Sequence, residues 1–402
     1  MAFEHLAPLL LKNHSKVVLL IMDGLGGLPL EAGGKTSLEA ANTPVMDGLA
    51  KDGSLGGIIP VRPGITPGSG PAHLSLFGYD PLEFLVGRGA LEATGVGIDV
   101  NPGDVAARGN FCTLDTDGNI TDRRAGRIPS DEGIRLVEKL KPITMDGLDI
   151  TVKHLKEYRF AVVVKGVGLN ANIADTDPQK TGVPPLAPKA MEPAAEKTAL
   201  LFQQWIKKAQ EALSGEEKGN GLTLRGFGTD PELPKYQDIF GLKAAAIAVY
   251  PMYRGVAKLV GMDVIDFPGD KPEDEFAALD AIWDDYDYFF IHIKKTDSMG
   301  EDGNFEGKVG IIESVDQALP HLLDLKPDVL MITGDHSTPA KMRSHSWHPV
   351  PFLLSAPERG MPDTHTSFGE RNCATGGLGI FPAYDIPALA LAHAGRLKKF
   401  GA

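Results

Sequence analysis

Three short apolar runs that break off at acidic residues constrain this chain most. Val17-Val18-Leu19-Leu20-Ile21-Met22 stops at Asp23, Tyr288-Phe289-Phe290-Ile291-His292-Ile293 leads to Asp297, and Val329-Leu330-Met331-Ile332-Thr333 stops before Asp335-His336. Continuous apolar runs of this length, rich in β-branched and aromatic residues, read as strands buried on both faces, which is the pattern of parallel sheets. Ligands of open α/β sheets bind in the crevice outside the carboxyl ends of the strands. The three acidic positions are therefore expected to converge although they are far apart in the chain.

Further strands are predicted at Ala244–Val249, Val264–Phe267 and Val350–Ser355, and a helix over Glu192–Leu213, whose Ala, Leu, Lys, Gln and Glu content favours helix. Alternation of this kind predicts an α/β fold with a mostly parallel sheet and helices on both faces. With 402 residues, the chain exceeds the roughly 250–300 at which one core stops growing. The middle has a different texture. Phe111–Leu114 followed by Gly118-Asn119 reads as a hairpin, Phe160–Val164 as another short strand, and Thr181–Pro193 is Pro-rich and without periodicity. These features predict a smaller α/β domain over 104–185, inserted into a core formed by 1–103 and 186–402.

A net charge of −13 argues against nucleic acid as a partner, because affinity for the phosphate backbone rests on clustered Lys and Arg. Any anion site must be local. Two cysteines, Cys112 and Cys373, cannot form a disulfide framework. No apolar stretch approaches the ~18–20 residues that span a bilayer, and the first residues lack the layout of an export signal. The expectation is a cytoplasmic protein with no membrane partner.

Thr66-Pro67-Gly68-Ser69-Gly70-Pro71 presents Ser69 after a Pro-Gly turn, and the residues behind it resume a helical pattern. A hydroxyl at a helix N-terminus sits beside orphan N–H groups that attract phosphate, although Ser is equally at home there as a plain cap. Its company gives the position weight. Asp23, Asp335 and His336 with Ser69 make an oxygen and nitrogen set suited to Zn²⁺ or Mn²⁺, and coordination would lower the hydroxyl pKa. Asp297 and Glu301, spaced i and i+4, can face one way on a helical turn, and His345 or His348 could close a second set. For anions there are Arg123, Arg124 and Arg127 in one short run, then Arg225, and Lys294-Lys295 beside Asp297, of which Lys295 is the candidate substrate ligand. Each of these cations has a solvated surface role as its ordinary alternative.

These segments, together with Phe77-Gly78-Tyr79-Asp80-Pro81, Asp175-Thr176-Asp177-Pro178, Leu224-Arg225-Gly226, Thr333-Gly334-Asp335-His336 and the closing Lys398–Ala402, resemble the archaeal-type cofactor-independent phosphoglycerate mutases of the alkaline phosphatase superfamily. The resemblance spans nearly the whole chain. It implies interconversion of 3- and 2-phosphoglycerate through a phosphoserine at Ser69, in glycolysis and gluconeogenesis, without 2,3-bisphosphoglycerate. It also implies two divalent ions, Mn²⁺ or Zn²⁺ with Mg²⁺ as a further candidate. Asp23, Ser69, Asp335 and His336 would hold one ion, Asp297 and His345 the other, with the inserted domain binding and covering a small phosphorylated three-carbon acid. The family commonly has His where this chain has Glu301, often an acidic residue where it has Gly70, and in many members His where it has Gln179. Glu301 is expected to ligate in place of that imidazole. Two other readings stand beside this one: a phosphoserine-forming phosphatase or phosphotransferase for another small ester, and a non-catalytic metabolite-binding relative.

Overall fold

The apolar runs form strands because both of their faces find apolar cover. Val17–Met22, Tyr288–Ile293, Val329–Thr333 and Val350–Ser355 are buried at every position. They lie in an eight-stranded sheet with the spatial order Asp263–Val264, Ala244–Ala248, Tyr288–Ile293, Val17–Met22, Val329–Thr333, Val350–Ser355, Ser54–Ile59 and Gly379–Pro382. Only the Val350–Ser355 strand runs antiparallel to its neighbours. Successive residues of a strand serve opposite faces. On one face Val18, Leu20, Phe289 and Ile291 pack with Phe276 and Leu279 of the Pro272–Ala281 helix and with Ile312, Val315 and Leu319 of the Phe305–Asp324 helix. On the other, the Phe290 ring meets Phe77 at 4.9 Å and Tyr288 meets Tyr236 at 4.9 Å. Each fully buried side chain of this size contributes about 1.5–3 kcal/mol. The mostly parallel sheet with helices on both faces is as the sequence predicts.

The computed structural model describes residues 3–401 and contains two compact units, one formed by the residues up to Leu85 with those from Pro234 onward, the other by Val86–Leu233. The second unit has its own antiparallel sheet, with Ile120–Asp122, Val105–Leu114, Arg159–Lys165 and Asp149–Lys156 in that order and Gly221–Gly228 also paired to Val105–Leu114. Its core joins Phe111, Leu136, Phe160, Phe202, Trp205 and Leu222.

Three expectations need correction. The inserted unit is 86–233 and not 104–185, because Ala90 and Ala93 of the Arg88–Gly95 helix pack on Ala106, Ala161 and Val163, and the Glu196–Leu213 helix buries Phe202, Trp205, Ala209 and Leu213 in the inserted core. The Pro-rich stretch is not a boundary, since backbone bonds between Ile120 and Val183, Gly182 and Ile120, and Leu186 and Thr176 stitch it into the same unit. The strand expected at Val264–Phe267 is only Asp263–Val264, at the sheet edge. Among the described residues no helix is long and apolar enough to cross a membrane.

Candidate metal and phosphoryl site

Strand register brings the acidic residues level. Ile21 pairs with Thr333 and Met22 with Ile293, so Asp23, Lys294 and Asp335 emerge together at the carboxyl ends of three adjacent parallel strands. Asp23 is fully buried, with Oδ1 3.4 Å from His336 Nε2. Its Oδ2 accepts from Lys294 Nζ at 2.8 Å and from Tyr253 OH at 2.5 Å. Asp335 Oδ1 accepts from the Gly24 and His336 amides, both at 3.0 Å, while Oδ2 lies 3.3 Å from His336 Nε2.

Ser69 opens the Ser69–Leu76 helix behind Gly68, as the sequence predicts, and its Oγ stands 3.4 Å from His336 Nε2. One turn on, the His73 Nδ1–H donates to Ser69 O at 2.8 Å. Asp297 Oδ2 accepts from Lys294 Nζ at 2.5 Å, and its Oδ1 is 3.7 Å from His345 Nε2 and 4.0 Å from His336 Nε2. His345 Nδ1–H donates to Pro67 O at 2.9 Å, tying this ring to the turn that presents Ser69 and leaving Nε2 as its lone-pair nitrogen. The His336 and His345 rings stack with centroids 3.7 Å apart.

Two sets of donor atoms result, each within 4.8 Å of one another: Asp23, Asp335 and His336, and Asp297, His336 and His345. Between His345 and His348 the geometry selects His345, for His348 Nδ1 contacts Ser346 Oγ at 3.0 Å and its ring stacks on Trp347. Glu301 is at the margin: its side chain is 57% exposed, with Oε1 3.9 Å from His345 Nε2.

Burial and charge pull the titrating groups in different directions. Burial, then the charge of Asp23, pushes the Asp335 carboxyl well above the carboxylate range. Burial pushes Asp23 the same way, yet Lys294, His292 and His336 together hold it well below its ordinary value. Burial lowers the His336 and His292 rings far below the usual imidazole range and brings His73 to about 4. Burial also opposes the Lys294 charge, but Asp23 and Asp297 raise its pKa well above the ordinary lysine value.

Buried polar atoms without a protein partner need explanation. Asp23 Oδ1 and Asp335 Oδ2 are two such atoms, and both face His336 Nε2. Carboxylate oxygens and neutral imidazole nitrogens crowded in this way fit divalent cations, whose charge would offset buried acids that one lysine does not.

Two lysines named from the sequence separate here, and other residues carried no signal strong enough to name them. Lys295, expected to bind substrate, instead pairs with Asp270 Oδ2 at 3.0 Å, and both side chains are well exposed; its neighbour Lys294 bridges Asp23 and Asp297. Lys294 is the residue just before the Lys295–Glu301 helix and Lys295 is its first, so the two adjacent side chains leave the backbone in different directions, which spacing alone does not settle. His73 was legible as i+4 from Ser69. Tyr253 and His292, stacked at 3.7 Å behind Asp23, carried no motif. Neither did Lys308, a fully buried ammonium that donates to Gly24 O, Gly26 O and Thr338 O at 2.7, 3.1 and 2.9 Å; burial brings its pKa down to about 8.

In the inserted unit Arg123 grips Asp177 with two bonds of 3.0 and 2.8 Å, and Arg225 Nη1 lies 3.5 Å from the same carboxylate, with its Nε donating to Asp175 at 3.2 Å. Asp177 therefore gathers Arg123 and Arg225. Arg124 and Arg127 are exposed at the turn that follows Ile120–Asp122.

The profile of the family described as 2,3-bisphosphoglycerate-independent phosphoglycerate mutase matches residues 50–218. The chain is similar to a protein of Aquifex aeolicus, 51% identical over 99% of both chains, and to one of Thermus thermophilus, 50% identical over 100% of this chain and 99% of the relative. Both are named "Probable 2,3-bisphosphoglycerate-independent phosphoglycerate mutase". Among solved structures, a Pyrococcus horikoshii protein superposes with a TM-score of 0.84 at 33% identity, covering 97% of this chain and 100% of the other. The cofactor-independent phosphoglycerate mutase from Thermoplasma acidophilum superposes with a TM-score of 0.70 at 29% identity, covering 95% and 100%. With half of its residues shared over essentially the full length of such relatives, the chain belongs to the 2,3-bisphosphoglycerate-independent phosphoglycerate mutase family.

Proposed function

We propose that this protein is an isomerase that interconverts 3-phosphoglycerate and 2-phosphoglycerate through a phosphoserine at Ser69, without 2,3-bisphosphoglycerate, as a cytoplasmic enzyme of glycolysis and gluconeogenesis. The observation that carries the reading, beside family membership, is the placement of Ser69 Oγ at a helix start, 3.4 Å from the nitrogen shared by both donor sets. Asp23, Ser69, Asp335 and His336 would hold one divalent ion and Asp297, Glu301 and His345 another. Bound there, such ions supply Lewis-acid charge that lowers the hydroxyl pKa and offsets charge on the phosphoryl oxygens. The two imidazoles favour Mn²⁺ or Zn²⁺ over Mg²⁺.

The chain's own groups act as follows. Ser69 Oγ forms a bond to phosphorus as the ester bond to the C3 oxygen of glycerate breaks. The proton that serine gives up is balanced by the one the departing alkoxide gains. The 2-hydroxyl of the retained glycerate then takes the phosphoryl group as the Oγ–P bond breaks, and the proton it gives up is balanced by the one that Ser69 Oγ regains. N–H groups of the Ser69–Leu76 helix and the Lys294 ammonium favour the anion being transferred. Arg123, Arg124, Arg127 and Arg225 are the proposed carboxylate ligands; Lys294 takes the place expected of Lys295. The inserted unit's task is to keep water from the phosphoserine, because hydrolysis there would make the protein a phosphatase.

The test is turnover of 3-phosphoglycerate with Mn²⁺ and no bisphosphoglycerate, coupled through enolase, with mass spectrometry of the Ser69 peptide after quenching. Formation of 2-phosphoglycerate and a phosphopeptide, both abolished in Ser69→Ala, supports the reading. Release of inorganic phosphate without 2-phosphoglycerate would assign the protein to the hydrolases.

A further inference from the structure

Thr338 lies just beyond the Asp335-His336 pair and is fully buried. Its Oγ1 is 2.8 Å from Asp297 Oδ1 and 3.0 Å from His336 Nδ1, so a single hydroxyl touches Asp297 of one donor set and His336, which the two sets share. A carboxylate oxygen only accepts, and a hydroxyl has one proton to give. The Thr338 proton is therefore spent on Asp297, and His336 Nδ1 must donate its own N–H to Oγ1. A neutral imidazole protonated at Nδ1 carries its lone pair on Nε2. That is the atom 3.4 Å from Ser69 Oγ, 3.4 Å from Asp23 Oδ1 and 3.3 Å from Asp335 Oδ2.

The hydroxyl has little freedom to do otherwise. Thr338 O accepts from the buried Lys308 Nζ at 2.9 Å, and the Thr338 amide donates to Gly24 O at 3.2 Å and Gly26 O at 3.0 Å. Lys308 also donates to those two carbonyls, so the backbone after Asp23 and the backbone after His336 are held by one ammonium. Gly24, at φ +64°, is where the fit is closest: a Cβ there would meet Thr338 Oγ1 at 2.6 Å and Asp297 Oδ1 at 2.9 Å.

We infer that Thr338 is a positioning residue that joins the two donor sets, fixing the Nε2 lone-pair tautomer of His336 and the orientation of the Asp297 carboxylate with the same hydroxyl. The inference rests on the proposed reading of these residues as metal ligands. Partners that orient ligands in this way typically change metal affinity by about 10- to 100-fold when removed.

The experiment titrates Mn²⁺ into metal-stripped wild type, Thr338→Val and Thr338→Ser by calorimetry and measures kcat and KM for 3-phosphoglycerate on the reloaded proteins. Valine keeps the shape and removes the hydroxyl, and serine restores it. Thr338→Val is expected to raise the Kd for Mn²⁺ about 10- to 100-fold. It should lower kcat and leave KM within about 2-fold, as loss of orientation rather than of substrate contacts would. Thr338→Ser should recover both Mn²⁺ affinity and kcat. Thr338→Ala replaces valine, with the same expected result, if the valine variant does not fold. Wild-type affinity in the hydroxyl-free variant, or a serine variant as impaired as it, overturns the inference alone. A wild type that takes up no Mn²⁺ overturns the metal reading and the inference with it.

Discussion

Lys294 Nζ lies between Asp23 Oδ2, at 2.8 Å, and Asp297 Oδ2, at 2.5 Å, so one ammonium spans carboxylates that belong to different donor sets. Its side chain is 27% exposed while both of its partners are buried. Removing one member of such a group leaves uncompensated charge, which costs several kcal/mol when fully buried and less where water reaches. Lys294→Met is expected to lower the stability of the metal-stripped protein by about 1–3 kcal/mol. Added Mn²⁺ should then raise its melting temperature by more than it raises that of wild type. Equal gains, measured by scanning fluorimetry with chelator and with Mn²⁺, would count against the bridging role.

The Arg123–Asp177 clamp presents one guanidinium in a fixed plane, and Arg225 approaches the same carboxylate. A planar fork binds a carboxylate through two parallel bonds, which an ammonium cannot reproduce. Arg123→Lys is expected to raise KM for 3-phosphoglycerate about 10-fold, the equivalent of one charge-assisted bond. An unchanged KM in the steady-state coupled assay would remove Arg123 from substrate recognition.

For Glu301, 3.9 Å from His345 and largely exposed, the decisive quantity is the number of ions retained. Glu301→Ala should lose one of two bound ions after desalting, as counted by inductively coupled plasma mass spectrometry. Glu301→His should keep both and shift preference from Mn²⁺ toward Zn²⁺, since imidazole is the softer ligand. Two ions in the alanine variant would exclude Glu301 as a ligand.

Glu275 is buried in the Pro272–Ala281 helix, and its Oε2 has no hydrogen-bond partner among the described residues. Burial, then the charges of Asp270 and Asp274, pushes its carboxyl up to about 9 from an ordinary value of 4.5. A carboxyl whose folded pKa is raised contributes its stability in full below the unfolded value and loses it as pH climbs toward the folded one. Between pH 4.5 and about 9 this residue therefore makes folding progressively less favourable. Glu275→Gln, neutral throughout, should match wild type near pH 4 and exceed it by about 1–3 kcal/mol at pH 8. A denaturant midpoint that shows no gain at pH 8 would refute this.

What could be seen in the sequence followed from strong local signals. The runs ending at Asp23 and before Asp335 carried both their strand assignment and their position at the sheet's carboxyl edge, because continuous apolar burial and parallel pairing are linked. Ser69 was visible through its Pro-Gly turn. The limits of the inserted unit were not, because Pro-rich chain reads as linker until its backbone partners, such as Ile120 with Val183, are known. Lys294 and Lys295 are chemically alike and adjacent, and only tertiary structure separates the bridge from the surface pair with Asp270. Thr338 and Lys308 had no signature at all. A buried lysine that satisfies carbonyls looks, in one dimension, like any charge on an amphipathic helix.

The inserted unit is one contiguous stretch with its own sheet and its own apolar core, covalently continuous with the rest at only two points. Changes of sequence inside it need not disturb the strands that set Asp23 level with Asp335. Under the proposed reading, in which that stretch carries the carboxylate ligands, its exchange would let descendants of one ancestral scaffold take new substrates and inherit the same reactive centre intact.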